Sequence, residues 1–67
     1  MTNKVLKIIK GNVEVWNINQ NKIRTVYSGG DATMATWYDE SNESCQVQLH
    51  NGKIKIINRY GNLVRTI

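Results

Sequence analysis

Apolar and polar residues alternate along most of the chain, and this period of two is typical of β-strands with one better-buried face. In residues 45–50, Cys45, Val47 and Leu49 alternate with glutamine and histidine. Ile54 and Ile56 alternate with lysine farther along, and the first third of the chain follows the same pattern. The alternation predicts six strands, at roughly 4–9, 12–17, 22–27, 45–50, 53–58 and 62–67.

Glycine and asparagine separate these strands. Asn51-Gly52 lies between two alternating runs and predicts a hairpin with a type I′ turn, which requires positive φ at both central residues. Lys10-Gly11 holds the equivalent place in the first half, and Gly61 predicts a further turn. The chain contains no proline to interrupt a strand ladder. Each half is therefore predicted to be a three-stranded meander.

The two halves repeat one another. Residues 4–26 and 45–67 align without gaps at an offset of 41. The alignment places Gly11 on Gly52 and, in the same register, superposes the pairs Asn17/Asn58, Asn21/Asn62, Arg24/Arg65 and Thr25/Thr66. The duplication predicts one β domain over 1–67, with internal repeats at 4–26 and 45–67 joined by 27–44.

The joining segment contains a predicted seventh strand. Residues 28–31, Ser-Gly-Gly-Asp, favour a loop, and residues 39–44 are polar enough for a solvated turn. Between them, Ala32–Tyr38 combines threonines with Trp37 and Tyr38, which favour a strand. Alanine and methionine in the same stretch leave a helix over 32–40 as the alternative.

The segment NGKIKIINRYGNLVRTI resembles a blade of a β-propeller, because a hairpin glycine, alternating isoleucines and a Gly-containing turn recur with a period near that of WD repeats. The Trp-Asp signature is missing, and the chain is more similar to short phage-type propeller-like repeat proteins. The resemblance implies nearly two blades per chain. A blade cannot cover its own faces, so identical chains are expected to close a ring, preferably a trimer. The alternative is a small seven-stranded β-barrel or sandwich.

Charge is unevenly distributed along the chain. The net charge is +4, yet four of the five acidic residues lie between Asp31 and Glu43, where there is no lysine or arginine. A basic surface can attract nucleic acid. Alternatively, the acidic segment of one subunit can meet a basic region of the next, and the segregation of the acids favours this second interpretation.

Cysteine content and hydropathy indicate where in the cell the protein is expected to be located. Cys45 is the single cysteine and His50 the single histidine, so neither an internal disulfide nor a structural zinc site is expected, and no cofactor is predicted. The N-terminal residues lack a signal-peptide pattern, and no run approaches the length of a membrane span. We interpret the chain as a cytoplasmic protein without a membrane partner, located in the host cytoplasm if it is viral.

Six residues are candidates for ligand binding. Arg24 and Arg65 recur at equivalent positions and can grip phosphate or carboxylate groups, although a repeated salt bridge or a packed side-chain stem is the favoured role. Trp37 and Tyr38 can stack on a ligand, although packing is again favoured. Asn17 and Asn58 are the remaining candidates, as repeated polar residues that can line a channel or cleft.

The other reactive groups are weak candidates for catalysis. His50 lies on a polar face without carboxylate or thiol neighbours in the sequence, and Cys45 belongs to the buried set of its strand. Gly29-Gly30-Asp31 resembles a phosphate nest but lacks the Lys-Ser/Thr of a Walker motif. No catalytic residue and no metal ligand are predicted, so the chain is not expected to be an enzyme.

These observations lead to three functional hypotheses. The first is a non-enzymatic binding module, a homo-oligomeric propeller-like ring that binds an anionic small molecule or a protein partner. A phage-encoded sequesterer is one form of it, which the resemblance alone implies. The second is a basic β protein that binds single-stranded nucleic acid. The third is a structural ring or connector.

Overall fold

Seven antiparallel strands form two sheets in the computed structural model, which describes residues 3–67. The first sheet has the order β1-β2-β3, with β1 at Lys4–Ile9, β2 at Asn12–Asn17 and β3 at Lys22–Tyr27. The second has the order β4-β5-β6-β7, with strands listed in turn at Ala32–Asp39, Ser44–Leu49, Ile54–Ile57 and Leu63–Thr66. The all-β prediction and the seventh strand are confirmed. The alternative helix over 32–40 is wrong, because Ala32–Asp39 form β4 and Glu40 begins the 3₁₀ turn Glu40–Asn42.

The core lies between the two sheets and follows from the alternation. The buried residues of its cluster are aliphatic or small, and come from both sheets: Val13, Val15 and Val26 from the first, and Ala32, Cys45, Val47, Leu49 and Ile57 from the second. Leu6, Tyr27, Ala35 and Trp37 are partly buried against this cluster. Every second residue of β2 and β5 therefore faces the opposite sheet, which is the arrangement that a period of two predicts.

Two hairpins at equivalent positions of the repeat differ in their turns. Lys10 and Gly11 both have positive φ, at 53° and 78°, and they connect β1 and β2 as a two-residue type I′ turn. At Asn51-Gly52 the type I′ prediction is wrong, since only Gly52 has positive φ. There the backbone N–H of Leu49 donates to the carbonyl of Lys53, so the loop comprises three residues, 50–52. The left-handed third residue is the usual feature of such a loop.

A close backbone contact joins the two halves of the chain. The backbone N–H of Ala32, where β4 begins, donates to the carbonyl of Gly11 at 2.9 Å. A Cβ atom on Gly11 would lie 2.1 Å from the carbonyl oxygen of Gly30. The backbone N–H of His50 also donates to the carbonyl of Asp31 at 2.8 Å. The β1–β2 turn and the segment preceding β4 can approach this closely only because Gly11 carries no side chain.

Each sheet covers the inner face of the other without a second chain. The accessible surface is 4312 Å², close to the roughly 4300 Å² expected of a folded monomer of this mass. The outer edge of each sheet stays uncovered. All four residues of β7 are exposed, and β3 and β7 each pair with a strand on one side only.

The contact at Gly11 yields a matched pair of variants. Gly52→Ala meets no atom within 4 Å and adds only the strain of a positive φ, about 1 to 2 kcal/mol. Gly11→Ala adds a similar strain and a clash with the Gly30 carbonyl, so we expect it to lower the free energy of unfolding by about 1 to 3 kcal/mol more. Urea denaturation followed by circular dichroism measures both. Equal losses in the two variants would contradict the close contact.

Candidate functional site

Asn17 and Asn58 shape two equivalent turns. The Oδ1 atom of Asn17 accepts hydrogen bonds from the backbone N–H groups of Asn19 and Asn21, at 3.0 and 3.1 Å. The Oδ1 atom of Asn58 does the same with Tyr60 and Asn62, at 2.9 and 3.0 Å. In both turns the third residue after the asparagine has positive φ, namely Gln20 in the first turn and Gly61 in the second. The structure therefore engages both asparagine carbonyls in turn formation.

Arg24 belongs to an ionic cluster that connects the two sheets. Its Nη2 atom donates to Glu43 Oε1 at 2.6 Å, and Lys4 Nζ donates to Glu43 Oε2 at 2.8 Å. Glu43 follows the 3₁₀ turn Glu40–Asn42 and leads into β5, whereas Lys4 lies on β1 and Arg24 on β3. We call these three residues the Glu43 clasp. Acidic and basic segments therefore meet within one chain. The acidic residue, Glu43, belongs to residues 39–44, which were predicted to form a solvated turn.

The geometry of the 3₁₀ turn positions Glu43. The Asp39 carboxylate caps the turn by accepting from the backbone N–H of Asn42. It also accepts from the side chains of Asn42 and Ser41, at 2.7 and 2.9 Å, and these bonds lower the pKa of its carboxyl group. Glu43 has a φ of 57° and its backbone N–H donates to the carbonyl of Glu40, which turns the chain back into β5. Hydrogen bonds from Lys4 and Arg24 lower the pKa of the Glu43 carboxyl group, so the clasp contains an ionised carboxylate at neutral pH.

Cys45 is buried beside the clasp. Loss of hydration raises the pKa of its thiol to about 11, and the nearby positive charge of Arg24 offsets this only in part. The thiol is therefore protonated at neutral pH and is a poor nucleophile. His50 lies at the far end of β5, about 16 Å away at the usual rise per strand residue. The strand thus separates the two groups that the sequence offers for nucleophilic chemistry.

Trp37 and Tyr38 follow each other on β4 and lie on opposite faces of the sheet. Trp37 is the register partner of Cys45 and packs against the core between the sheets. Tyr38 is 47% exposed on the outward face. A register shift between Trp37 and Asp39 interrupts the pairing with β5 at Tyr38, and the exposed Tyr38 side chain points away from the core that Trp37 contacts.

Tyr38 meets Arg65 across the outward face of the second sheet. The Nη2 atom of Arg65 donates to the Tyr38 hydroxyl at 2.6 Å, and the guanidinium carbon lies 5.5 Å from the ring centroid. The two residues belong to β4 and β7, the outermost strands of this sheet, so their side chains reach across the intervening strands. Ile56, the register partner of Arg65, is only 1% exposed on this face.

A second cation–aromatic pair lies in the turn before β7. The guanidinium carbon of Arg59 is 6.0 Å from the ring centroid of Tyr60, whose side chain is 78% exposed. The Nε atom of Arg59 donates to the carbonyl of Asn42 at 3.2 Å, which ties the arginine to the neighbouring 3₁₀ turn. This pair was not predicted from the sequence. The available signal was an Arg-Tyr dipeptide inside a predicted turn, where both side chains are expected to be exposed.

Cation–aromatic pairs recur elsewhere on the surface. Lys7 Nζ lies 4.2 Å from the Trp16 ring, and Lys55 Nζ lies 5.8 Å from the Tyr27 ring. Together with the two arginine pairs this makes four among residues 3–67, each with its cation within 6.0 Å of the ring centroid, the range of cation–π attraction. The surface thus carries several rings that stand beside a positive charge.

The cations of the two sheets differ in how they are neutralised. On the first sheet, Glu14 lies 3.3 Å from Lys22 and accepts from Trp16 Nε1 at 2.9 Å. The bond from Trp16 is the principal cause of the lowered pKa of the Glu14 carboxyl group. Within residues 3–67, Arg59 and Arg65 have no carboxylate within ion-pair distance, since their recorded polar partners are a backbone carbonyl and a phenol.

Of the six predicted ligand residues, the structure brings together only Tyr38 and Arg65. Arg24 is bound to Glu43, Trp37 packs against the core, and the two asparagines form turns. Among the described residues, acidic, histidine and cysteine side chains form no group of three that could hold a metal ion. No helix in that part of the chain has the length and hydropathy needed to cross a bilayer. No protein-family model, curated protein or solved structure matches this chain.

The Glu43 clasp predicts a pH-dependent stability. The folded-state pKa of Glu43 lies below the value of 4.5 that applies to the unfolded chain, so its contribution is present above pH 4.5 and is lost as the pH falls through the folded pKa. We expect Glu43→Gln to lower the free energy of unfolding at pH 7 by about 1 to 3 kcal/mol, because half-buried Arg24 loses its charged partner.

The same comparison at low pH serves as the control. Protonated Glu43 resembles glutamine, so the difference between the variant and the unmodified chain should shrink as the pH falls from 7 to about 3. Urea titrations at both pH values measure it. A difference of equal size at the two pH values would show that the charge of Glu43 contributes nothing.

Proposed function

We propose that this chain is a non-enzymatic binding module for an anionic ligand, which it holds on the outward face of the second sheet with Arg65 and Tyr38. The observation that carries the proposal is the pairing of Arg65 with a neutral phenol instead of a carboxylate. The guanidinium is held in place by this bond and keeps its full charge. Arg24, its counterpart in the repeat, is already neutralised by Glu43 and is not part of the proposed site.

The donor groups of the pair suit a phosphate or carboxylate. A guanidinium has five N–H donors arranged for two-point contact with such groups, and the bond to Tyr38 uses one of them. Because the Tyr38 oxygen accepts from Arg65, its own hydroxyl proton is free to be donated to a ligand oxygen. Fixing both side chains before the ligand arrives lowers the entropy cost of binding.

The absence of a catalytic role rests on how the reactive groups are distributed. The Cys45 thiol is protonated and buried near the start of β5, and His50 follows the other end of that strand. Their separation, about 16 Å along the strand, is too long for a nucleophile to transfer its proton to a base. Binding without chemistry is the function that fits the remaining exposed groups.

The binding proposal is tested with inorganic polyphosphate as the probe. Arg65→Gln removes the unneutralised charge of the site, and we expect its affinity for polyphosphate to fall about 5- to 30-fold, the equivalent of 1 to 2 kcal/mol. Isothermal titration calorimetry at low salt measures the change.

Lys10→Gln is the matched control, because it also removes one positive charge. Lys10 lies in the exposed β1–β2 turn, next to the start of β4, and Tyr38 lies six residues farther along β4. That spacing corresponds to roughly 20 Å. Equal losses in Arg65→Gln and Lys10→Gln would indicate general charge attraction and would refute a site at Arg65.

We further propose that the module self-associates through the exposed edge of β7. This strand pairs with β6 on one side only, and the side chains of Leu63, Val64 and Ile67 are each more than half exposed. Unpaired edges with apolar side chains and no proline are ready templates for another strand. Pairing along this edge uses backbone groups and leaves the outward face of Arg65 and Tyr38 open. A closed trimer is the assembly that the ring hypothesis favours.

Light scattering across a range of protein concentrations tests the assembly. We expect a mass near three times 7.7 kDa at high concentration, and a shift towards the monomer in the Val64→Lys variant, because charge on an edge strand discourages pairing. Lys53→Gln, directly after the β5–β6 turn, should leave the mass unchanged. A folded species of 7.7 kDa at every concentration would refute self-association.

A further inference from the structure

We infer that the anionic ligand is a single-stranded nucleic acid, whose bases stack on Tyr60 and Tyr38 while Arg59 and Arg65 contact its phosphates. This inference rests on the proposed function, because it names the ligand class of the site at Arg65. It adds the Arg59–Tyr60 pair to that site, so that both arginines come from the last nine residues of the chain.

The aromatic rings of Tyr60 and Tyr38 are exposed and can contact a ligand. Tyrosine rings normally gain stability by packing against apolar neighbours. Tyr60 is 78% exposed at the tip of the β6–β7 hairpin, and its recorded ring partner is Arg59 at 6.0 Å. Tyr38 is 47% exposed on the outward face. A ring with an open face can stack on a nucleobase, which contributes about 1 to 3 kcal/mol per base.

The positive charges of Arg59 and Arg65 lie beside these rings. Each tyrosine stands beside an arginine that has no carboxylate partner within residues 3–67. Arg59 is anchored through Nε to the Asn42 carbonyl, which leaves its terminal nitrogens for a phosphate. A single strand exposes both a charged backbone and flat bases, and paired rings and cations match both features at once. Inorganic anions and acidic peptides offer only the charge.

The surface that carries these residues is open. Tyr60 lies on a turn, and Tyr38 and Arg65 lie on the outward face of a sheet, so that none of them is enclosed by a second layer of the chain. An open face accommodates an extended polymer, whereas a small anion is usually bound in a concave site. Bases in a duplex are stacked on one another, so their faces are not available to tyrosine rings. The site therefore selects single strands.

The test uses three fluorescently labelled probes and the full chain. The probes are an oligothymidylate of about 12 nucleotides, within the usual site sizes, an abasic oligonucleotide of the same length, and a duplex. Fluorescence anisotropy reports the affinity of each. We expect the oligothymidylate to bind more tightly than the abasic probe and the duplex, with an affinity that falls as salt rises.

Tyr60→Ala isolates the stacking contribution. We expect it to weaken oligothymidylate binding about 5- to 150-fold, which corresponds to the loss of one stacked base, and to leave abasic binding unchanged. Ile18→Ala is the matched control, because Ile18 is 56% exposed in the equivalent turn of the first half, and this variant should bind like the unmodified chain. Circular dichroism verifies that both variants are folded.

Each remaining outcome is decisive. Equal affinity for oligothymidylate and the abasic probe, or for single strand and duplex, would overturn the inference and leave the proposed anionic-ligand site intact. A Tyr60→Ala variant that binds oligothymidylate normally would also overturn it. Failure to bind any of the three probes, together with failure to bind polyphosphate, would instead overturn the proposed function itself.

Discussion

Face-to-face packing of the two sheets is the constraint on which the rest of this small fold depends. No disulfide is available to a chain with one cysteine, so burial of a few aliphatic side chains between the sheets has to supply most of the stability. The packing requires the β1–β2 turn to approach the segment before β4, which the absence of a side chain at Gly11 permits. The Glu43 clasp provides a second connection between the two halves of the chain, because it links the 3₁₀ turn before β5 to β1 and β3.

The local features of this fold could be predicted from the sequence because they depend on neighbouring residues. Alternation identifies six strands and β-propensity identifies the seventh, all to within about a residue of their ends. The repeated asparagines coincide with two turns of the same hydrogen-bonding pattern. The type of the turn at Asn51-Gly52 was not predictable. Two- and three-residue loops accept the same dipeptide, and the register of the flanking strands decides between them.

The candidate site could be predicted only in part, since the repeat suggests equal roles for residues that have unequal surroundings. Arg24 and Arg65 occupy the same position in the two halves, but β3 lies next to the turn that carries Glu43, whereas no carboxylate of residues 3–67 lies within ion-pair distance of Arg65 on β7. One arginine is neutralised and the other is not. Similarly, alternation separates Trp37 from Tyr38 but does not indicate which of them faces the core. These distinctions arise from contacts between residues far apart in the sequence, which no local pattern encodes.

The burial of Cys45 has a practical consequence for following the motions of this protein. A thiol that is both protonated and enclosed between two sheets reacts with alkylating reagents only when the sheets separate. The chain therefore contains a chemical reporter at the centre of its own core, without any engineered label. The rate of its modification reads out how often the two halves part.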